Sequence, residues 1–114
     1  MQVVDPHIHL WNLEKGRYPW LAAPTRSFMG DYAALAKTHE VHEFLGDASG
    51  IEVLKVIHID AGHDPADPVA EMRWLQSLAD SPGNSGMPHG IVAYADLSAP
   101  DVGDLLAAHA GYPN

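Results

Sequence analysis

The sequence predicts an α/β fold built on a short parallel sheet. Three observations carry that expectation. Residues 3–10, 52–60 and 90–96 are short and rich in Val and Ile, and read as strands. No two-residue hairpin signal bounds them, and helical patterns fall between and after them. Apolar residues occupy both faces of the second and third strands, as in sheets buried on both sides. Strands that alternate with helices pair in parallel through helical crossovers.

The elements follow in order. The first strand, Val3 to Leu10, is followed at 11–30 by two tryptophans, two prolines and no steady period, which predicts a structured loop. Residues from Asp31 to about Leu45 read as a helix of unclean periodicity. After the second strand, Asp67 precedes Pro68 as an N-cap with proline at the first helical position. Val69, Met72, Leu75 and Leu78 then mark one apolar face, and Ser81-Pro82-Gly83 stops the helix. After the third strand, Pro100 opens a helix carrying Val102, Leu105 and Leu106, which Gly111 and Pro113 end.

Composition narrows the function classes. The 114 residues are expected to form one domain, 1–114, with 46% hydrophobic and 18% charged residues, a globular balance. Six Lys+Arg against fifteen Asp+Glu give a net charge of −9, which argues against nucleic acid or an anionic membrane surface as partner. The absence of cysteine rules out disulfides and thiolate chemistry within the chain. With neither a signal-like amino terminus nor an apolar run of membrane-spanning length, the expectation is a cytoplasmic protein. Histidine is the oddity: eight are scattered at 7, 9, 39, 42, 58, 63, 89 and 109.

The strongest local signal is Asp5-Pro6-His7-Ile8-His9-Leu10-Trp11. Strand periodicity places Asp5, His7 and His9 on one face and Ile8 and Leu10 on the other. Two imidazoles at alternate positions can chelate one divalent ion, or they can simply bond loop backbone. His58 and Asp60 also share a face. His58 is a candidate hydrogen-bond donor to a substrate carbonyl and Asp60 a carboxylate that orients an imidazole; a buried His–Asp pair fixing strand packing is the alternative. His63 and Asp64 lie in the loop after the second strand, a position suited to binding or to plain solvation. Trp11, Tyr18 and Trp20 either wall a substrate pocket or cover a rim. Tyr94 and Asp96 share a face, with Asp96 favoured as a cap for the next helix. His39, His42 and Glu43 read as a solvated helix surface, and His89 and His109 as element ends.

The opening VVDPHIHLWNLEKGRYPWL resembles that of the amidohydrolase-related (amidohydrolase 2) branch of the amidohydrolase superfamily, with a D-x-H-x-H-L-W segment and then Tyr18-Pro19-Trp20-Leu21. KVIHIDAGHDPADPVAEMRWLQ at 55–76 and HGIVAYADLSAP at 89–100 are similar to that branch's second and third strands with their loops. The resemblance implies about the first three units of a (β/α)₈ TIM barrel. It implies hydrolysis of an ester, lactone or amide by water at the carboxyl ends of the strands, with a small-molecule substrate such as a lactone. It assigns His7 and His9 to a divalent metal, zinc first, or to substrate in a metal-free lactonase mode. His58, Asp60, His63 and Trp11 are then expected to bind substrate.

A full barrel needs about 250 residues, so these 114 read as the front of something larger. No residue here matches the family's late aspartate, the base that activates water, so no catalytic residue is assigned and a protein ending at Asn114 is expected to be inactive alone. The alternative is a truncated, non-catalytic remnant that self-associates, for instance as a homo-oligomer, through its open sheet edges.

Overall fold

The computed structural model describes residues 1–23 and 30–114; residues 24–29 of the expected 11–30 loop lie outside the described residues. Three strands, β1 (Gln2–Ile8), β2 (Glu52–Ile59) and β3 (Gly90–Val92), form one parallel sheet in the order β1-β2-β3. The loop after β1 holds a short helix, α1 (Pro19–Ala22). The other helices are α2 (Val41–Asp47), α3 (Pro68–Ala79) and α4 (Val102–His109). Thus the mixed α/β class and the parallel pairing agree with the sequence.

The core forms because the crossovers return to one face of the sheet. Ile8, Leu10 and Val56 meet Val41 of α2 and Leu75 and Leu78 of α3, with Met87 closing one end. Leu75 and Val56 are fully buried, at the centre of that layer. The opposite face of the sheet is open among the described residues: Val4 is 59% and Val92 50% exposed. Ile8, His58 and Ile91 stand in register across the three strands, so His58 is flanked by two isoleucines on the helix-covered face.

Strand β1 departs from strict alternation. Between the pairs Asp5–Val56 and Ile8–His58 it runs three residues against two on β2, which is a bulge at Pro6-His7. Proline has no N–H for the ladder, and the His7 N–H is satisfied instead by Asp5 Oδ1 at 3.0 Å. The bulge overturns one expectation: Asp5 pairs with buried Val56, and so does not share the face of His7 and His9.

Two further expectations are corrected. Residues 31–45 are not one helix. A 3-10 turn at Ala33–Leu35 precedes α2, and between them His39 pairs with Trp11 through both backbone bonds (3.0 and 2.9 Å), which removes those groups from any helical ladder. The third strand stops at Val92. Beyond it the Tyr94 carbonyl accepts the His109 Nε2–H at 3.0 Å, and Asp96 folds the chain into a turn by accepting from the Ser98 N–H and hydroxyl. Those two bonds hold the exposed Asp96 carboxyl below its ordinary pKa. Asp96 therefore shapes the turn, and Asp101 occupies the N-cap position of α4.

No helix among the described residues is long and apolar enough to cross a membrane. The packing predicts a sharp contrast in stability. Leu75→Ala should cost about 2–5 kcal/mol by opening a cavity in the sheet–helix layer. Leu106→Ala, on the exposed side of α4, should cost under about 1 kcal/mol. Urea unfolding of the full-length protein checks this, with equal losses contradicting it.

Candidate functional site

The bulge and the end of β1 bring two imidazoles together on the open side of the sheet. His7 Nε2 and His9 Nε2 face each other at 3.2 Å, with ring centroids 5.0 Å apart and planes at 76°. Backbone contacts fix which nitrogen carries which proton. His9 Nδ1 lies 2.8 Å from the Ile59 carbonyl, which can only accept, so Nδ1 bears the hydrogen. The neutral ring then presents its Nε2 lone pair to His7, which donates its own Nε2–H.

This arrangement fits a divalent ion. Two Zn–N bonds of about 2.0–2.1 Å enclosing roughly 100° put their nitrogens about 3.2 Å apart, the separation observed. A backbone carbonyl bonded to the far nitrogen of a ligand histidine is the usual orienting contact, and His9 has it. No cluster of three or more His, Cys, Asp or Glu side chains able to hold a metal occurs among the described residues.

The other candidate residues do not join this pair as a shared mouth. His58 is fully buried on the helix-covered face, and only its ring edge approaches His9, with centroids 6.1 Å apart. Its Nδ1 accepts from the Leu10 N–H at 3.1 Å, so its Nε2 carries the hydrogen and donates to Glu71 Oε1 at 2.6 Å. The acid beside His58 is thus Glu71 of α3, where the sequence suggested Asp60. Asp60 instead accepts from the Gly62 N–H at 3.0 Å and shapes the loop after β2.

His63 accepts the Arg17 N–H at 3.2 Å and meets the Tyr18 ring edge-on, so it ties the β2–α3 loop to the loop after β1. Trp11 is buried with Tyr18, Leu21 and Ala61 in a small second core, its indole N–H bonded to the Lys37 carbonyl at 2.6 Å. It lies beneath the surface, in the packing of the rim. Trp20 donates to the Ala61 carbonyl at 2.8 Å and stacks edge-on against Trp11. Gly62 is required under Trp20: its φ is +72°, and a Cβ there would meet Trp20 Nε1 at 3.0 Å.

Glu71 is the residue that sequence reasoning missed. A glutamate in the first turn of a helix ordinarily faces solvent and the helix dipole. The available signal was its spacing: Glu71 sits four residues before Leu75 and beside Met72, on the apolar face. It is nine-tenths buried, and its Oε1 accepts from both His58 and the Ala61 N–H.

No protein-family model matches the chain. The uncharacterized protein y4mH of Sinorhizobium fredii is 49% identical over 113 residues, which is 98% of this chain and 37% of that protein. The chain thus spans little more than a third of the curated relative it matches. Among solved structures, Amidohydrolase 2 from Bifidobacterium longum subsp. infantis is similar with a TM-score of 0.55 at 24% identity, over 72% of this chain and 29% of its own. At that identity the likeness is one of fold: the three-stranded parallel unit resembles part of an amidohydrolase.

Tyr18 gives the site region a measurable alkaline signature. Burial first, and then the charges of Glu71 and Asp60, push its hydroxyl far above the ordinary tyrosine value of about 10. The unfolded chain ionises near that value while the folded chain does not. Tyr18 stabilisation is therefore complete below about pH 10 and is lost as pH rises above it. Unfolding free energy should fall between pH 9 and 11 by roughly 1 kcal/mol more in the natural protein than in Tyr18→Phe; identical pH profiles would contradict the assignment.

Proposed function

We propose that the chain is the amino-terminal part of a (β/α)₈-barrel hydrolase that directs water onto a carboxylic ester or lactone carbonyl. The facing Nε2 atoms of His7 and His9 carry this reading. The winding supports it. Strands laid down in sequential order with α2 and α3 packed on the same face follow the path of a closing cylinder, whereas doubly wound sheets carry helices on both faces. The open apolar face then becomes the barrel interior, closed by sequence outside these 114 residues. The greater length of the relative and the fold likeness to an amidohydrolase agree with that arrangement.

In this reading His7 and His9 hold a divalent ion, zinc first, through Nε2, at the carboxyl end of β1. When bound, such an ion polarises a carbonyl or lowers the pKa of a coordinated water toward about 7. The chain's own part is positional. The Ile59 carbonyl keeps the His9 lone pair aimed outward, and the Asp5 carboxylate holds the bulge that exposes His7. Both rings must be neutral to bind, and the His7 hydrogen must move from Nε2 to Nδ1 so that two Nε2 lone pairs face the ion, so metal affinity falls in mild acid. The water-activating base, by the family resemblance an aspartate, comes from outside this chain.

A metal-free lactonase reading has one observation in its favour. With His9 accepting, His7 holds an Nε2–H on the open side, and that one donor can turn from His9 to a developing oxyanion. The substrate is a small molecule in either case, and we place the protein in the cytoplasm.

Metal analysis of the full-length protein prepared without chelator separates the readings. The ligand reading predicts about one zinc, manganese or iron per chain, bound at least tenfold more weakly in His7→Ala and His9→Ala, with lactone hydrolysis lost in parallel. Full hydrolysis after complete metal removal would select the oxyanion reading. Neither metal nor hydrolysis of lactones or esters would refute both.

A further inference from the structure

We propose that Glu71 is a positioning residue for the His7–His9 pair, acting through His58. The inference deepens the proposed function and takes from it the reading of that pair as ligands. Packing alone does not explain Glu71. A leucine or methionine on the apolar face of α3 would fill the space without the cost of burying a carboxylate. What the carboxylate does is collect two donors on one oxygen: the His58 Nε2–H at 2.6 Å and the Ala61 N–H at 3.1 Å.

Both donors lead to the surroundings of His9. By accepting from Nε2, Glu71 keeps the hydrogen off His58 Nδ1, and that lone pair takes the N–H of Leu10, the residue after His9. Ala61 lies two residues past Ile59, whose carbonyl orients the His9 ring. One side chain on α3 thus fixes the strand end that bears His9 and the strand end that aims it. Without an acceptor at 71, His58 is free to change tautomer, and a Leu10 N–H pointed at a protonated Nδ1 would be left buried and unpaired.

Two variants separate this from plain helix docking. Glu71→Gln keeps an amide oxygen that can accept both bonds in the same shape. Glu71→Met keeps the volume and removes the acceptor. In the full-length protein titrated with cobalt(II), Glu71→Gln should bind within about threefold of the natural protein, and Glu71→Met about 10–100-fold more weakly with an altered visible spectrum. Amide exchange at Leu10 and Ala61 should quicken in Glu71→Met alone. A folded Glu71→Met with natural cobalt affinity and spectrum would overturn the proposal. Should that variant fail to fold, Glu71→Asp decides, because it keeps the charge and withdraws it by one methylene; unchanged affinity there would also overturn it. If the natural protein takes up no cobalt, the ligand reading fails by itself. The exchange rates at Leu10 and Ala61 then judge the positioning: quickened only without the acceptor supports it, unchanged refutes it.

Discussion

Pro6 has no N–H to offer the β1–β2 ladder, and the geometry of the site follows from that missing donor. The strand bulges there, and Asp5 supplies an acceptor for the His7 N–H that the ladder cannot use. Asp5 falls into register with Val56 before the bulge and Ile8 with His58 after it, both on the helix-covered side. His7 and His9 are left on the open side, and Ile8 and Leu10 are driven into the core. Apolar burial of Ile8 and Leu10 fixes the register beyond the bulge, because a one-residue slip would exchange the two faces. The imidazoles are aimed by the same packing that stabilises the fold.

The second determinant is polar and buried. His58 stands between Ile8 and Ile91 in the register of the sheet, a position that an apolar residue would ordinarily fill. Its two nitrogens are both used, one by Leu10 and one by Glu71. Removing one partner from such a set leaves a buried group unpaired, at about 1–3 kcal/mol, so the network holds one arrangement. The smaller core of Trp11, Tyr18, Leu21 and Ala61 closes the same end of the molecule, with Trp20 bonded across to Ala61. The loops after β1 and β2 are therefore tied to each other directly.

Much of this was legible in the sequence, for identifiable reasons. Short Val/Ile runs without hairpin turns gave the parallel sheet, and Asp67-Pro68 marked the start of α3. The H-x-H spacing gave the pairing of His7 with His9, whose Nε2 atoms face each other although the bulge takes in His7. Asp5 was misplaced because a bulge changes parity, and proline inside a strand was the signal for it. Strand periodicity puts His58 and Asp60, two apart, on one face. The acid that meets His58 comes from a helix thirteen residues on, a tertiary fact that strand periodicity does not contain. The long helix expected over 31–45 failed because the backbone pairing of Trp11 with His39 is non-local.

The site depends on the aim of one ring, and nitrogen-15 spectra of the histidine-labelled, metal-free full-length protein test that aim directly. The bond to Ile59 predicts that neutral His9 carries its hydrogen on Nδ1 and keeps Nε2 as a lone pair. A His9 found with its hydrogen on Nε2 would contradict the geometry from which the site is built.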